Sequence, residues 1–210
     1  MHRSLFLLVL LNTPLAYSLA QNASQAYKVL APISQADTFQ ASFVYTNGDL
    51  HEEEQEAVPG KVLVKGNKYR LTLGEQLIIH DGETVWIYLP EANEVQISNY
   101  DPEQEPLNPA QLLHIYQQGF LPIALRAQTI NNHHCDVVDL IAADQESWIA
   151  KISLAVERKT KHLKRLAALD SNQTWHTFSI TKFEPDVELD DTCFVFNPAC
   201  YDAIEIIDLR

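Results

Sequence analysis

Four neighbouring residues in the stretch "NNHHCDVVD" have side chains that can bind a metal ion: His133, His134, Cys135 and Asp136. Imidazole, thiolate and carboxylate groups are the usual zinc ligands, but a site requires them to converge on one point. The alternating pattern that follows predicts a strand, and neighbouring residues of a strand point to opposite faces. The four side chains cannot all reach one ion, so we interpret the stretch as a turn leading into a strand and expect no metal site.

His80 and Asp81 are a second candidate, because an adjacent imidazole and carboxylate suggest acid–base catalysis. Asp81 and Gly82 are better explained as a hairpin turn between two alternating segments. The sequence contains no GxSxG, HExxH, GxGxxG or P-loop motif. We therefore expect a protein that is not an enzyme and needs no cofactor. An exported hydrolase built around His80 and Asp81 is the competing hypothesis.

The elements around these residues are mostly strands. Apolar and polar residues alternate in "LIIHDGETVWIYLPEANEVQISNY", with breaks after His80 and Leu89, which predicts three strands joined by tight turns. Gly66 and Asn67 predict another hairpin turn, and "TFQASFVYT" predicts an earlier strand. Further strands are predicted at 134–141, 148–156, 162–169 and 174–183, and at the C-terminal "AIEIIDL". The total is ten or eleven strands.

Two helices are predicted beside them. Apolar residues recur at helical spacing over 23–33, and again over 108–119, where Asn108 suits the N-cap and Pro109 the first turn. No composition shift or repeat marks a second domain. We predict a mainly β (α+β) fold: one strongly curved, unclosed antiparallel half-barrel, with the helices as a lid over a hydrophobic cavity.

Both faces of the predicted sheet carry apolar side chains. In "TVWIYL", Val85, Ile87 and Leu89 face one way while Trp86 and Tyr88 face the other. Ordinary burial beneath helices explains each residue taken singly. With only two helices to cover the sheet, a partly unfilled apolar interior is the second interpretation, and it would suit acyl chains.

The first twenty residues have the pattern of a signal peptide. A basic start with His2 and Arg3 precedes the apolar "SLFLLVLL" and the small-residue site "SLA", which predicts cleavage between Ala20 and Gln21. Residues 21–210 would then form the mature, exported domain. The chain has a formal net charge of −13, which argues against binding to nucleic acid.

The three cysteines are Cys135, Cys193 and Cys200. In an oxidising compartment, one disulfide and one free thiol is the simplest allocation. Cys193 and Cys200 flank "FVFNPA", in which Asn197 and Pro198 suggest a turn. The sequence therefore favours a Cys193–Cys200 disulfide, and the state of Cys135 stays open.

Several segments, in order, resemble the LolA family of periplasmic outer-membrane lipoprotein carriers. They are "FQASFVY", "GKVLVKGNKYRL", "IIHDGETVWIYLPEANEVQISNY", "NPAQLLHIYQQGF", "WHTFSITKFEPDVELDDTCFVFNP" and the terminal "IDLR". The "DGxTVWxYxPxxNEV" hairpins and the "FxFNP" close are the most specific of them. The resemblance covers nearly the whole chain after residue 20.

The resemblance implies a monomeric periplasmic carrier without enzymatic activity. Such a carrier receives acylated lipoproteins from an inner-membrane lipoprotein-releasing ABC transporter and delivers them to the outer membrane, where a dedicated acceptor is a further possible partner. The alternative is a related half-barrel that binds lipid or glycolipid, or acts as a sensor, without a role in lipoprotein sorting.

The resemblance and the strand parity together nominate site residues. In the family an arginine before the third strand holds the lid, and Lys65 aligns with it here, with Arg70 as a second candidate for this latch. A lysine offers a point charge where arginine offers a planar fork. The predicted acyl-chain contacts are Phe39, Phe43, Tyr69, Leu71, Leu73, Ile87 and Leu89 on strands, and Leu112, Leu113, Tyr116 and Phe120 on the second helix.

Overall fold

Twelve strands form a single sheet in the computed structural model of the chain, which describes residues 23–33, 36–48, 56–101 and 119–210. Helix α1 covers 23–30 and precedes the sheet. The first six strands are β1 (Thr38–Gly48), β2 (Val58–Lys65), β3 (Lys68–Leu73), β4 (Gln76–His80), β5 (Thr84–Leu89) and β6 (Glu94–Asn99). The others are β7 (Phe120–Ile130), β8 (His133–Ala142), β9 (Ile149–Glu157), β10 (Leu163–Asp170), β11 (Trp175–Pro185) and β12 (Glu205–Asp208).

The strand order is β12-β6-β5-β4-β3-β2-β1-β11-β10-β9-β8-β7. Most neighbours are consecutive in sequence and antiparallel, as hairpins require. The pairing of β1 with β11 joins two runs of hairpins, and β12 returns to pair in parallel with β6. The sheet is curved and its edge strands β12 and β7 do not pair with each other, so the predicted unclosed architecture is confirmed.

The sequence analysis missed one long strand, β7. Its segment "FLPIALRAQTI" contains Pro122, a residue that the sequence pattern favours as the end of a helix. Proline lacks the N–H that a central strand must donate, but an edge strand tolerates it, often at a bulge. β7 is such an edge strand, and its register with β8 shifts between Pro122 and Ala124. The helix predicted over 108–119 lies outside the described residues except for Gly119.

The predicted first helix and hairpin turns are confirmed. Helix 23–30 ends directly before a turn that contains Pro32. Gly66 adopts a positive φ of 59° in the turn between β2 and β3, which glycine tolerates without strain. In the turn between β4 and β5, the Asp81 carboxylate accepts hydrogen bonds from the backbone N–H groups of Glu83 and Thr84, at 3.0 and 2.8 Å. Within the described residues, no helix is long and apolar enough to cross a membrane.

One face of the sheet carries the main hydrophobic core, and we call it the concave face. Residues from β1, β2, β3 and from β8, β9 and β10 belong to one cluster of buried side chains on this face. Helix α1 and the turn after it pack against the cluster through Ala26, Leu30 and Ile33, all of which are buried. The apolar stripe predicted for this helix is therefore its contact with the sheet.

The opposite, convex face carries a second core. This explains why both odd- and even-numbered residues are apolar around residue 80. Leu77, Ile79 and Val95 are buried there against Phe196. Phe196 belongs to residues 189–204, which follow β11 and which we call the C-terminal segment. The rings of Phe196 and Tyr201 stack at 5.0 Å between centroids, and both contact the ring of Tyr88 on β5, which holds the segment on the sheet. Each large apolar side chain buried in this way contributes about 1.5–3 kcal/mol.

Phe43 packs directly against Gly60 on the concave face. They face each other across β1 and β2, and a Cβ atom added to Gly60 would overlap the Phe43 ring. Phe43 also makes an edge-on contact with Phe178, with 5.5 Å between ring centroids. The glycine therefore leaves room for a ring that links β2, β1 and β11.

We expect Gly60→Ala to lower the free energy of unfolding by about 1–3 kcal/mol, because the new methyl group overpacks the Phe43 ring. Chemical denaturation measures the loss. The control is Gly60→Ala in a Phe43→Leu background, where the shorter side chain leaves space and the cost should be smaller. An equal cost in both backgrounds would show that the clash with Phe43 is not the cause.

Candidate functional site on the concave face

The strand register brings all seven predicted strand residues to the concave face. Phe39 pairs with Val64, and Val64 pairs with Tyr69. Gly60 connects Phe43 to Leu73 in the same way. Ile78 pairs with both Leu71 and Ile87, and Leu89 follows Ile87 by two residues on β5. Paired residues of neighbouring strands point to the same face, and side chains alternate between faces along each strand. The seven residues therefore lie in parallel rows on one face of the sheet.

Burial differs between the rows of this surface. One row is buried across all five strands, β1 to β5: Phe39, Val64, Tyr69, His80 and Val85. Phe39, Phe43 and Tyr69 are buried, with 4%, 5% and 2% of their surface exposed. Four residues in the neighbouring rows are only half-buried: Leu71, Leu73, Ile87 and Leu89. On β6 the face becomes polar, because Glu94 pairs with Leu89 and Gln96 pairs with Ile87. The apolar surface thus has a closed centre, a partly open flank and a polar border.

The sequence analysis did not nominate the aromatic residues that β11 adds to this face. Phe183 stacks on Phe39 at 5.4 Å between centroids, and Phe178 meets Phe43. Phe178 and Ile180 have even numbers while Phe183 is odd, so simple alternation assigns them to opposite faces. A register shift between Ser42 and Phe43 leaves Thr181 as an extra residue and brings all three to the concave face. In "FSITKF" the spacing between apolar residues changes from two to three, and this change in the sequence could have identified the bulge.

The residues predicted on the second helix have different outcomes. Phe120 is the first residue of strand β7 and not part of a helix, yet it is buried in the same concave core. Leu112, Leu113 and Tyr116 lie outside the described residues. Their contact with cargo stays a prediction, as does that of every residue nominated above.

The two residues predicted as the lid latch both contact the C-terminal segment. Lys65 and Arg70 lie on the convex face, since their neighbours Val64 and Tyr69 face the concave side. The Lys65 ammonium donates to the Leu189 carbonyl at 2.9 Å and to the Asp191 carboxylate at 2.7 Å. Arg70 donates to the Cys193 carbonyl at 3.3 Å. Both side chains therefore bind the C-terminal segment from the convex face. The helix that the latch would hold lies outside the described residues, so the latch stays a prediction.

Comparisons with known proteins agree with this geometry. The sequence model of the family described as outer membrane lipoprotein carrier protein LolA matches residues 34–197, well over half of the chain. The chain belongs to the LolA family. An outer-membrane lipoprotein carrier protein of Shewanella pealeana is 24% identical over 212 residues, which cover 99% of this chain and 97% of that protein.

Two solved structures are similar to the chain. An uncharacterized conserved protein from Thermus thermophilus superposes with a TM-score of 0.53 at 14% identity, over 89% of this chain and 98% of the other. A LolA superfamily protein from Nitrosomonas europaea gives a TM-score of 0.45, also at 14% identity, over 83% and 98% of the two chains. The match to the LolA family model includes the strands β1 to β11 and ends in the C-terminal segment, before β12.

In this LolA family member the candidate metal ligands have separate partners. His133 donates from Nδ1 to the Glu157 carboxylate at 2.8 Å, and Arg158 donates to the Asp136 carboxylate through Nε and Nη2. Cys135 is buried, at 1% exposure. Within the described ranges, no group of three His, Cys, Asp or Glu side chains is arranged to hold a metal ion.

Glu157 stabilises the turn that joins β9 and β10. Its carboxylate accepts hydrogen bonds from the Thr160 hydroxyl at 2.6 Å and from His133, and it pairs with Lys164 at 3.3 Å. These contacts, that with Thr160 most of all, lower the pKa of Glu157 to about 2. A carboxyl pKa that is lower in the folded state stabilises the fold above its ordinary pKa, and the contribution is lost as the pH falls toward the folded value.

We expect Glu157→Gln to destabilise the protein at pH 7 and the deficit relative to wild type to shrink between about pH 4.5 and pH 2. Unfolding free energies measured at several pH values would test this. Glu91→Gln, in an exposed turn, is the control, and its effect should be small throughout. A deficit that stays constant down to pH 2 would show that the Glu157 charge does not contribute in this way.

The cysteines are free thiols in the structure, so it does not contain the Cys193–Cys200 disulfide that the sequence favours. Cys193 lies in a 3-10 helix, Asp191–Phe194, and Cys200 ends another, Pro198–Cys200. Cys193 is half-buried and Cys200 is exposed. Burial, above all, raises the pKa of the Cys135 thiol, which lowers its reactivity.

Alkylation of the folded protein, without reductant, should therefore modify Cys200 first and leave Cys135 unmodified until the protein unfolds. Mass spectrometry of peptides after short exposure to iodoacetamide measures this order. Unfolding without reductant should make all three thiols reactive. If Cys193 and Cys200 react only after reduction, the disulfide forms in solution and the arrangement of free thiols is wrong.

Proposed function

We propose that this protein binds the acyl chains of lipoproteins on its concave face and carries them through the periplasm to the outer membrane. The observation that carries the proposal is the apolar surface on one face of β1–β5 and β11, whose residues Leu71, Leu73, Ile87 and Leu89 are incompletely buried. Membership of the LolA family and the lipoprotein carrier of Shewanella pealeana support a carrier role.

The chemistry of the surface suits acyl chains. From β1 to β5 its rows consist almost entirely of apolar and aromatic side chains, such as Ala41, Val62, Leu71, Ile78 and Ile87. Hydrocarbon chains need such a surface and make no demand for directed hydrogen bonds. The polar border at β6 would limit how far the chains extend across the sheet.

Incomplete burial also suits a carrier. Each buried methylene contributes about 0.8 kcal/mol, so complete enclosure of several long chains would bind them by tens of kcal/mol. Release would then be too slow for transport. A face that buries its centre but leaves its flank partly open binds chains less tightly, and helix α1, which packs on the same face, competes for part of the apolar surface.

The partners and location follow from the same proposal. Signal peptide 1–20 would direct the chain to the periplasm, and residues 21–210 would act as a monomeric carrier domain. Cargo would come from an inner-membrane lipoprotein-releasing ABC transporter and pass to the outer membrane, with or without a dedicated acceptor. The proposed carrier role uses no cofactor and no catalytic residues. Asp81, one half of the competing His80–Asp81 hypothesis, accepts hydrogen bonds within the turn between β4 and β5.

A photo-crosslinking amino acid in place of Leu71 should capture lipoproteins in cells that are sorting them, because Leu71 lies on the half-open flank of the concave face. The matched control is its neighbour Thr72, which is exposed and faces the convex side. Adducts separated on gels and identified by mass spectrometry measure the difference.

Equal capture at both positions, or none at either while sorting is active, would contradict the proposal. Depletion of the protein distinguishes the alternative. Loss of lipoprotein sorting is expected of a carrier, whereas lipid adducts at Leu71 with normal sorting would favour a lipid-binding or sensor protein.

A further inference from the structure

His80 places one unsatisfied polar atom within the concave face. It pairs with Tyr69 on β3 and with Val85 on β5, so its side chain belongs to the same face as the apolar rows beside it. The residue is 1% exposed. Its Nε2 atom is buried and has no hydrogen-bond partner among the described residues. A buried polar atom of this kind is costly and calls for an explanation.

The tautomer of His80 follows from its other nitrogen. Nδ1 lies 2.9 Å from the backbone carbonyl oxygen of Asn67, and a carbonyl oxygen only accepts hydrogen bonds. Nδ1 must therefore carry the proton. In the neutral ring Nε2 then has a lone pair and no hydrogen, so its missing partner is a hydrogen-bond donor.

The surroundings of Nε2 place this acceptor beside the surface that would hold acyl chains. Ile78 precedes His80 by two residues on the same face, and it pairs with Leu71 and Ile87. The ring of Tyr100 covers His80, with 4.6 Å between the ring centroids. Because His80 is so well covered, a ligand reaches Nε2 only when part of this cover moves.

We propose that His80 Nε2 accepts a hydrogen bond from the amide N–H that links the N-terminal acyl chain of a lipoprotein to its first residue. The inference rests on the proposed carrier function. Ester linkages of acyl chains only accept hydrogen bonds, whereas the amide is the linkage that donates one and is attached directly to a chain. The acyl chain then continues over the neighbouring row of Leu71, Ile78 and Ile87. His80 thus selects cargo by its head group while the apolar rows bind any acyl chain.

Two synthetic lipopeptides isolate this hydrogen bond. Both carry a thioether-linked diacylglycerol and an amide-linked palmitoyl chain on an N-terminal cysteine, and in one of them the amide nitrogen is methylated and cannot donate. The wild-type protein should bind the N–H lipopeptide about 3- to 10-fold more tightly than the methylated one, which is the range of one net hydrogen bond. Displacement of a fluorescent hydrophobic dye measures both affinities.

Two substitutions separate the roles of Nδ1 and Nε2 of His80. In His80→Asn the side-chain amide can still donate to the Asn67 carbonyl, but no atom occupies the position of Nε2. The affinities for the N–H and the methylated lipopeptide should then differ by less than about twofold. In His80→Gln the longer side chain places an acceptor near that position and abandons Asn67, so the preference should remain while the stability falls. Chemical denaturation of both variants confirms that they are folded.

Equal binding of the two lipopeptides by the wild-type protein would overturn the role of His80 and leave the carrier function intact. A preference that persists in His80→Asn would also overturn it, since the preference would then come from the bulk of the methyl group. If neither lipopeptide binds, the carrier function fails and the inference fails with it.

Discussion

The pairing of β1 with β11 is the contact on which the rest of the structure depends. It joins hairpins β1 to β6 to hairpins β7 to β11, across more than one hundred residues of sequence. The extra residue at this seam is Thr181, whose hydroxyl donates to the Ser42 carbonyl at 3.0 Å. A bulge bends its strand and increases the local twist, which favours a sheet that curves around one face. It also brings Phe178 and Phe183 to the same side, where they meet Phe43 and Phe39.

The two faces of the sheet satisfy opposite requirements. On the convex face, the C-terminal segment covers β4 to β6 through Phe196 and Tyr201. Lys65 of β2 and Arg70 of β3 bind the same segment through polar contacts. The ion pair of Lys65 with Asp191 is exposed and screened by solvent, so the apolar contacts dominate. The concave face has helix α1 over part of its core and a half-buried flank. A permanent cover on one side therefore leaves the other side as the surface where packing can be exchanged for cargo, as the proposed function requires.

Most residues that suggested chemistry in the sequence have structural partners. Of the candidate metal ligands, His133 binds Glu157 and Asp136 binds Arg158. The carboxylates of the C-terminal segment, which the sequence analysis did not nominate, also have partners: Asp190 caps the 3-10 helix Asp191–Phe194 by accepting from the Thr192 N–H, and Asp191 accepts from Lys65 and Lys68. An acidic chain uses carboxylates as caps and turn acceptors because they satisfy backbone and side-chain donors that strands leave unpaired. His80 differs, since only one of its two ring nitrogens has a partner among the described residues.

The sequence by itself determined the mainly β class, the hairpin turns at Gly66 and Gly82, helix 23–30 and the common parity of Phe39, Phe43, Tyr69 and Ile87. These features depend on residues close in sequence, where alternation, turn chemistry and helical spacing act directly. Only the tertiary structure decided the β1–β11 seam, the strand status of β7 despite Pro122, and the parallel return of β12. It also decided that Lys65 and Arg70 bind the C-terminal segment and that Cys193 and Cys200 are free thiols. The physical reason is that such contacts join residues far apart in the chain, or depend on an edge position or a bulge. Local patterns carry no information about which distant strand will supply the partner, and one extra residue such as Thr181 reverses the facing of everything beyond it.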